Sequence, residues 1–229
     1  MILTETDIAN MALDLVTATN INSIDDNSTQ AKVCKRHYYV LRDSLIQESQ
    51  WTFARAEVVL APITYPSNNW AYAYAYPADC LKIDGLRLPE LMGQPITTQT
   101  SVGPLTSSPI WQNDQKQLRH EVCAMVDANN NPTGQRAILC NVQNVILVYT
   151  RQITNPAQFP PTFVDALALK LAQRISGRLS ADPSLKRELQ GEYAASQAIA
   201  KRASAMETTD NGTRKSGIQR SRMGANTVY

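Results

Sequence analysis

The chain has 229 residues, 43% of them apolar and 18% charged, with a formal net charge of +2. This is a globular composition, with enough Leu, Ile, Val and Ala for one large domain or two small ones, and the near-neutral balance argues against a dedicated nucleic-acid binder. The opening "MILTETDIAN" has no basic segment leading into an apolar one, and no apolar run approaches membrane-spanning length, so the expectation is a protein made in the cytoplasm without membrane insertion. Cys34, Cys80, Cys123 and Cys140 lie far apart with no CxxC pair, which reads as four reduced thiols.

In chain order, residues 4–19 read as a first helix: Thr4 can cap it, acids occupy its first turn, and Ile8, Met11, Ala12, Leu15 and Val16 form a stripe. The polar link "NINSIDDNST" follows. Ser28 then opens a longer helix to about residue 49, with Ala31, Cys34, Tyr38, Leu41 and Leu45 at helical spacing. From Trp51 to about Pro161 the texture changes to Pro, Asn, Thr and short alternating runs. Expected strands cover residues 52–60, 70–76, 81–88, 109–111, 117–122, 135–140 and 145–153. Asn113-Asp114 reads as a hairpin turn and "DANNNPTG" as an exposed loop.

Helix returns at the end. "FPPTFVDALALKLAQRISGRLS" puts Val164, Leu167, Ala168, Leu171, Ile175 and Leu179 on one face. Asp182 caps a last helix with Pro183 at its first position and a stripe of Leu185, Leu189, Tyr193, Ala195 or Ser196, and Ile199. Two helices at each end cannot bury their stripes alone. The expected architecture is therefore α+β: a four-helix bundle from residues 1–50 and 161–206, an inserted antiparallel β-sandwich or barrel-like domain at 51–160, and a flexible basic tail at 207–229.

One stretch stands out, "WAYAYAYPADCLKI". Strand alternation puts Trp70, Tyr72, Tyr74 and Tyr76 on one face and alanines on the other. No Lys or Arg occurs between Arg55 and Lys82, so a base-stacking platform for a polyanion lacks its cations. The rings are expected to form the β-domain core. Charge is also unevenly spread. Acids lead over residues 1–50, whereas Lys201, Arg202, Arg214, Lys215, Arg220 and Arg222 crowd the end. An acidic front and a basic rear suit head-to-tail contact between copies, or an acidic partner for the tail.

Signatures of chemistry are sparse. No phosphate-cradling, dinucleotide-binding, serine-nucleophile or zinc-protease stretch is present. His37 has no ligand-spaced acid or cysteine. His120 and Cys123 would face opposite sides of a strand, so neither metal nor cofactor is expected. Asp25-Asp26 and the pair Glu188 and Glu192 are the acid pairs that could serve hydrolysis.

The order of pieces resembles one family. "DIANMAL", "INSIDD", the capped second helix and "QWTFARAEVVLAP" resemble the N-terminal half of podovirus head-to-tail adaptors, the tail tubular protein A family. "WAYAYAYPADCLKI" is similar to that family's aromatic strand and Pro-x-Asp-Cys-Leu turn, and residues 147–200 to its C-terminal section; residues 88–135 carry little of the pattern. The resemblance implies a non-enzymatic virion protein, assembled in the host cytoplasm into a ring expected to hold twelve copies. That ring would sit between the portal protein and the tail nozzle protein, with a channel whose walls touch passing dsDNA transiently. The alternatives are a tail-associated peptidoglycan hydrolase using Glu188 and Glu192, and a DNA-binding tail-completion protein.

Overall fold

Thr4 starts the first helix, α1 (Glu5–Asp14), through a capping box: its hydroxyl accepts from the Asp7 amide at 3.2 Å, and the Asp7 carboxylate accepts from the Thr4 amide at 2.8 Å. The helix ends at Asp14, earlier than its apolar stripe suggests. The cause lies outside it. Asn10 grips the backbone of Ile21 from both sides, donating to its carbonyl at 3.0 Å and accepting from its amide at 2.9 Å. The chain must therefore double back before Ile21, and the β-branched Val16 and Thr17 offer little resistance.

The computed structural model describes residues 2–17, 19–65, 69–89, 118–127, 131–180 and 182–207. Over these the chain is α+β, with four helices and two antiparallel sheets, neither closed into a barrel. Ser28 caps α2 (Thr29–Gln47), accepting from the Ala31 amide at 3.2 Å. A 3-10 turn (Thr52–Ala54) leads into β1 (Arg55–Val59). β2 (Pro62–Ile63), β3 (Tyr72–Ala75), β4 (Cys80–Arg87), β5 (His120–Val126), β6 (Pro132–Cys140) and β7 (Ile146–Arg151) follow. The chain returns through a second 3-10 turn (Pro156–Gln158) to α3 (Pro161–Leu179) and α4 (Pro183–Glu207). The expected strand at 109–111 and the turn at Asn113-Asp114 lie outside the described residues.

All four helices contribute to one buried cluster. Ile8 and Leu13 of α1, Tyr38 and Leu45 of α2, Phe163, Leu167 and Leu171 of α3, and Leu189 and Ala200 of α4 belong to it. The helical period explains most of these positions and corrects one. From Leu189, Ile199 lies about 80° around the axis and Ala200 about 20°; Ala200 is buried, while Ile199 is 63% exposed.

The chain crosses between helices and sheets twice, and both crossings meet in one aromatic clasp. Trp51 packs edge-on against Phe163 with centroids 5.2 Å apart, and Phe53 and Phe159 each lie 5.0 Å from Phe163. These are all three phenylalanines of the chain. The Trp51 indole donates to the Leu45 carbonyl at 2.8 Å, closing the end of α2. Residues 52–54 form a turn rather than the expected strand because Trp51 and Phe53 both pack with the helices.

The sheets run β1-β7-β4 and β2-β3-β6-β5. A second cluster draws on both: Tyr74, Ile138 and Cys140 from the four-stranded sheet, and Leu86, Leu147 and Tyr149 from the three-stranded one. The step between sheets is the "PADC" turn. The Cys80 amide donates to Pro77 at 3.1 Å, the Gln152 amide to the Asp79 carbonyl at 2.7 Å, and the Tyr149 hydroxyl to the Asp79 carboxylate at 3.2 Å. Within the "DANNNPTG" stretch, residues 132–134 belong to β6 instead of a loop. The Asp127 amide donates to Asn131 at 2.9 Å, closing the hairpin, and Gly134 takes a φ of 75° that favours glycine.

Candidate interaction surfaces

The aromatic ribbon divides between two clusters. Tyr74 is fully buried and donates to the Val142 carbonyl at 2.8 Å. Tyr72 and Tyr76 pack partly buried against the same inter-sheet cluster. Trp70 does not join them. The strand begins only at Tyr72, and a bend at Ala71 turns the indole to the other face. There it joins Ala73, Ala137 and Leu139, with its Nε1 donating to Glu121 at 2.9 Å and the Arg119 guanidinium 5.6 Å above its ring. Of the alanine face, Ala73 is thus covered by rings from neighbouring segments, Trp70 and Tyr65, while Ala71 and Ala75 are exposed.

At the edge of this region Arg136 sits 3.9 Å over the Tyr76 ring. Burial pushes the Tyr76 hydroxyl up to about 12, helped by Cys80 beside it. The four cysteines are free, and burial raises the Cys34 thiol to about 11, so it stays protonated and unreactive at neutral pH. His120 and Cys123 pair with Cys140 and Ala137 respectively, placing them on opposite faces of the sheet. Among the described residues no group of three or more His, Cys, Asp or Glu is placed to hold a metal.

Where α2 ends, a polar knot ties three helices together. The Glu48 carboxylate accepts from Lys170 of α3, from the Tyr193 hydroxyl at 3.1 Å and the Gln197 amide at 2.6 Å of α4, and from Ser44 at 3.2 Å. Burial alone would raise the Glu48 carboxyl. The hydrogen bonds from Lys170, Tyr193 and Ser44 and the Lys170 charge outweigh it and hold the group below its ordinary value. A sequence scan for paired acids passes over Glu48 because its partners on α3 and α4 lie more than 100 residues away.

Two outward faces carry opposite charge. On α1, Leu3, Asp7, Asn10, Met11 and Asp14 line a groove, and Met11 and Leu15 are 36% and 39% exposed. On α2 and α3, Arg36, Arg174 and Arg178 are exposed around a half-buried His37. Burial, then the charges of Arg174, Arg36 and Arg178, hold His37 below its ordinary value. The four-residue step from Arg174 to Arg178 was legible in the sequence; their approach to Arg36 required the packing of α2 on α3.

The remaining sequence-predicted residues are scattered. Lys201 and Arg202 sit near the end of α4, half-buried and exposed. Arg214, Lys215, Arg220 and Arg222 lie outside the described residues. Glu188 and Glu192 are both exposed on α4, one turn apart. No described helix is long and apolar enough to cross a membrane. Compared with known proteins, the sequence matches no family model and no curated protein.

Proposed function

We propose that this chain is a virion structural protein, the adaptor ring between the portal and the tail nozzle of a short-tailed phage. The observation that carries the reading is that both chain ends feed one helical core while the intervening residues build two sheets that share a core of their own. This supports a division of labour between a helical part, built from the first and last helices, and a β part built from the residues between them. In this reading the bundle makes the ring and meets the portal, the sheets face the tail nozzle, and the genome passes through the centre. On the same reading the basic residues Arg214, Lys215, Arg220 and Arg222 supply the charge that meets a neighbouring copy or the portal.

Copies arranged head-to-tail need two different complementary surfaces on one chain, and the acidic α1 face and basic α2–α3 face are of that kind. The test is to mix the purified chain with its portal protein and image the product by electron microscopy. A ring of added density capping the portal is the expected result. Portal particles left bare at saturating chain concentration overturn the reading.

A further inference from the structure

We infer that the α1 groove of one chain takes the basic α2–α3 face of a second copy, forming the contact that joins neighbours. The inference deepens the adaptor reading and rests on it, by naming where one copy meets the next.

The front of the chain is uniformly acidic in sequence, and of its acids Asp25 is paired within the fold, to Lys35 of α2 at 2.7 Å. Residues 1–31 include Glu5, Asp7, Asp14, Asp25 and Asp26 and not one Lys or Arg. Asp14 is exposed at the last position of α1, where a negative charge opposes the helix dipole. Local helix stability therefore does not account for it, and among the described residues no ion pair forms there. The other face has the matching anomaly. Arg174 and Arg178 are like charges one turn apart, an arrangement that weakens an isolated helix, and Arg36 adds a third positive charge from α2. Neither face is purely ionic: Met11 and Leu15 stand out beside the acids, and Val40, one turn after Arg36, is 67% exposed. Apolar side chains ringed by opposite charges are the composition of a protein–protein contact, and they favour a protein over a nucleic-acid duplex as the occupant.

One chain does not satisfy both faces itself. The Tyr39 hydroxyl donates to Glu5 of α1 at 2.8 Å, so Tyr39 marks the α1 flank of α2. His37, two residues earlier and about 200° around the axis, marks the flank that meets Arg174 and Arg178. The α3 part of the basic face, Arg174 and Arg178, thus lies across α2 from the acidic face, and Arg36, about 60° from Tyr39 around the axis, lies between them. Pairing the two faces between copies is a head-to-tail contact, which closes into a ring when the rotation between neighbours permits.

The test uses two reversals on the full chain, Asp14→Arg and Arg174→Glu. Each favours its own helix: the first places a cation at a helix C-terminus, and the second places Glu four residues before Arg178. Lost association therefore cannot be blamed on unfolding, and circular dichroism confirms the fold. In sedimentation velocity at low salt, each single variant should need about tenfold more protein than wild type to associate. An equimolar mixture of the two should recover, because alternating copies restore one native contact and create one swapped but complementary contact. Wild-type association should also weaken as salt is raised. Three outcomes overturn the inference: single variants that associate like wild type, a mixture that does not recover, and a wild-type chain that stays monomeric. A fourth does so as well: Arg174→Glu that loses affinity for a short DNA duplex while associating normally, which would assign the arginines to nucleic acid. If wild type and both variants cap the portal equally, the interface assignment falls and the adaptor reading stands.

Discussion

The helical half of the molecule gathers its apolar residues into one body, whereas the sheet half spreads them over both faces of a single sheet. In β6 the contrast is at its sharpest. Ala137, Ile138, Leu139 and Cys140 are all buried, with alternate residues in different clusters. A helix presents one stripe to one core, so a residue's partners follow from its period. A strand at the centre of a doubly covered sheet reads as a continuous apolar run, and which cluster each residue joins depends on what folds over it. The helical half is thus held by many residues around one centre, and the sheet half by two thinner layers that share strands.

The aromatic clasp joins the two halves and is the place to break the comparison. Phe163 is fully buried and touches Trp51, Phe53 and Phe159. Phe163→Ala should cost about 3–5 kcal/mol, because the rings around it close only part of the void. Urea unfolding followed by far-UV circular dichroism measures it. A loss below about 1 kcal/mol, against that expected range, would mean the clasp collapses freely and does not couple the halves.

The second prediction tests how thin the outer sheet layer is. Ala73 faces Leu139 across the β3–β6 ladder, beneath the Trp70 and Tyr65 rings. Ala73→Leu should overpack this layer and cost about 1–3 kcal/mol. If thermal denaturation finds the variant as stable as wild type, the rings are loosely held and the layer yields.

Caps and periods made the helices legible. Thr4 with Asp7, Ser28, and Asp182 before Pro183 each announced a helix start that the structure has. Strand positions within the described residues were readable to within a few residues, except for the two-residue β2. What could not be read depended on distant partners. The end of α1 is set by Asn10 gripping Ile21, and Trp70 leaves its ribbon because Glu121, 51 residues later, accepts its indole proton. The two charged faces were half legible: the imbalance showed in the sequence, which pointed to residues 201–222, mostly outside the described residues, whereas the cluster of Arg36, Arg174 and Arg178 needed the packing of α2 on α3.

The smallest effect sharpens the comparison most, because it acts on the helical half alone. Glu48 holds α2 to α3 and α4, and Glu48→Gln leaves Lys170, only 11% exposed, without its carboxylate. Glu48 is about one-third exposed, so water screens the pair, and a cost of about 1–2 kcal/mol at pH 7 is expected. The sign of its pH dependence is set by the lowered carboxyl. A group whose folded value lies below its unfolded one, here 4.5, lends stability above that pH and loses it as the pH falls through the folded value. The gap between wild type and Glu48→Gln should therefore be full at pH 7 and shrink steadily below about pH 4.5. The same scan on Ala73→Leu should show no such shrinkage, because no titrating contact is altered there. A Glu48→Gln deficit that stays constant down to pH 3 would mean that side-chain packing, and not the ionised carboxylate, ties the three helices together.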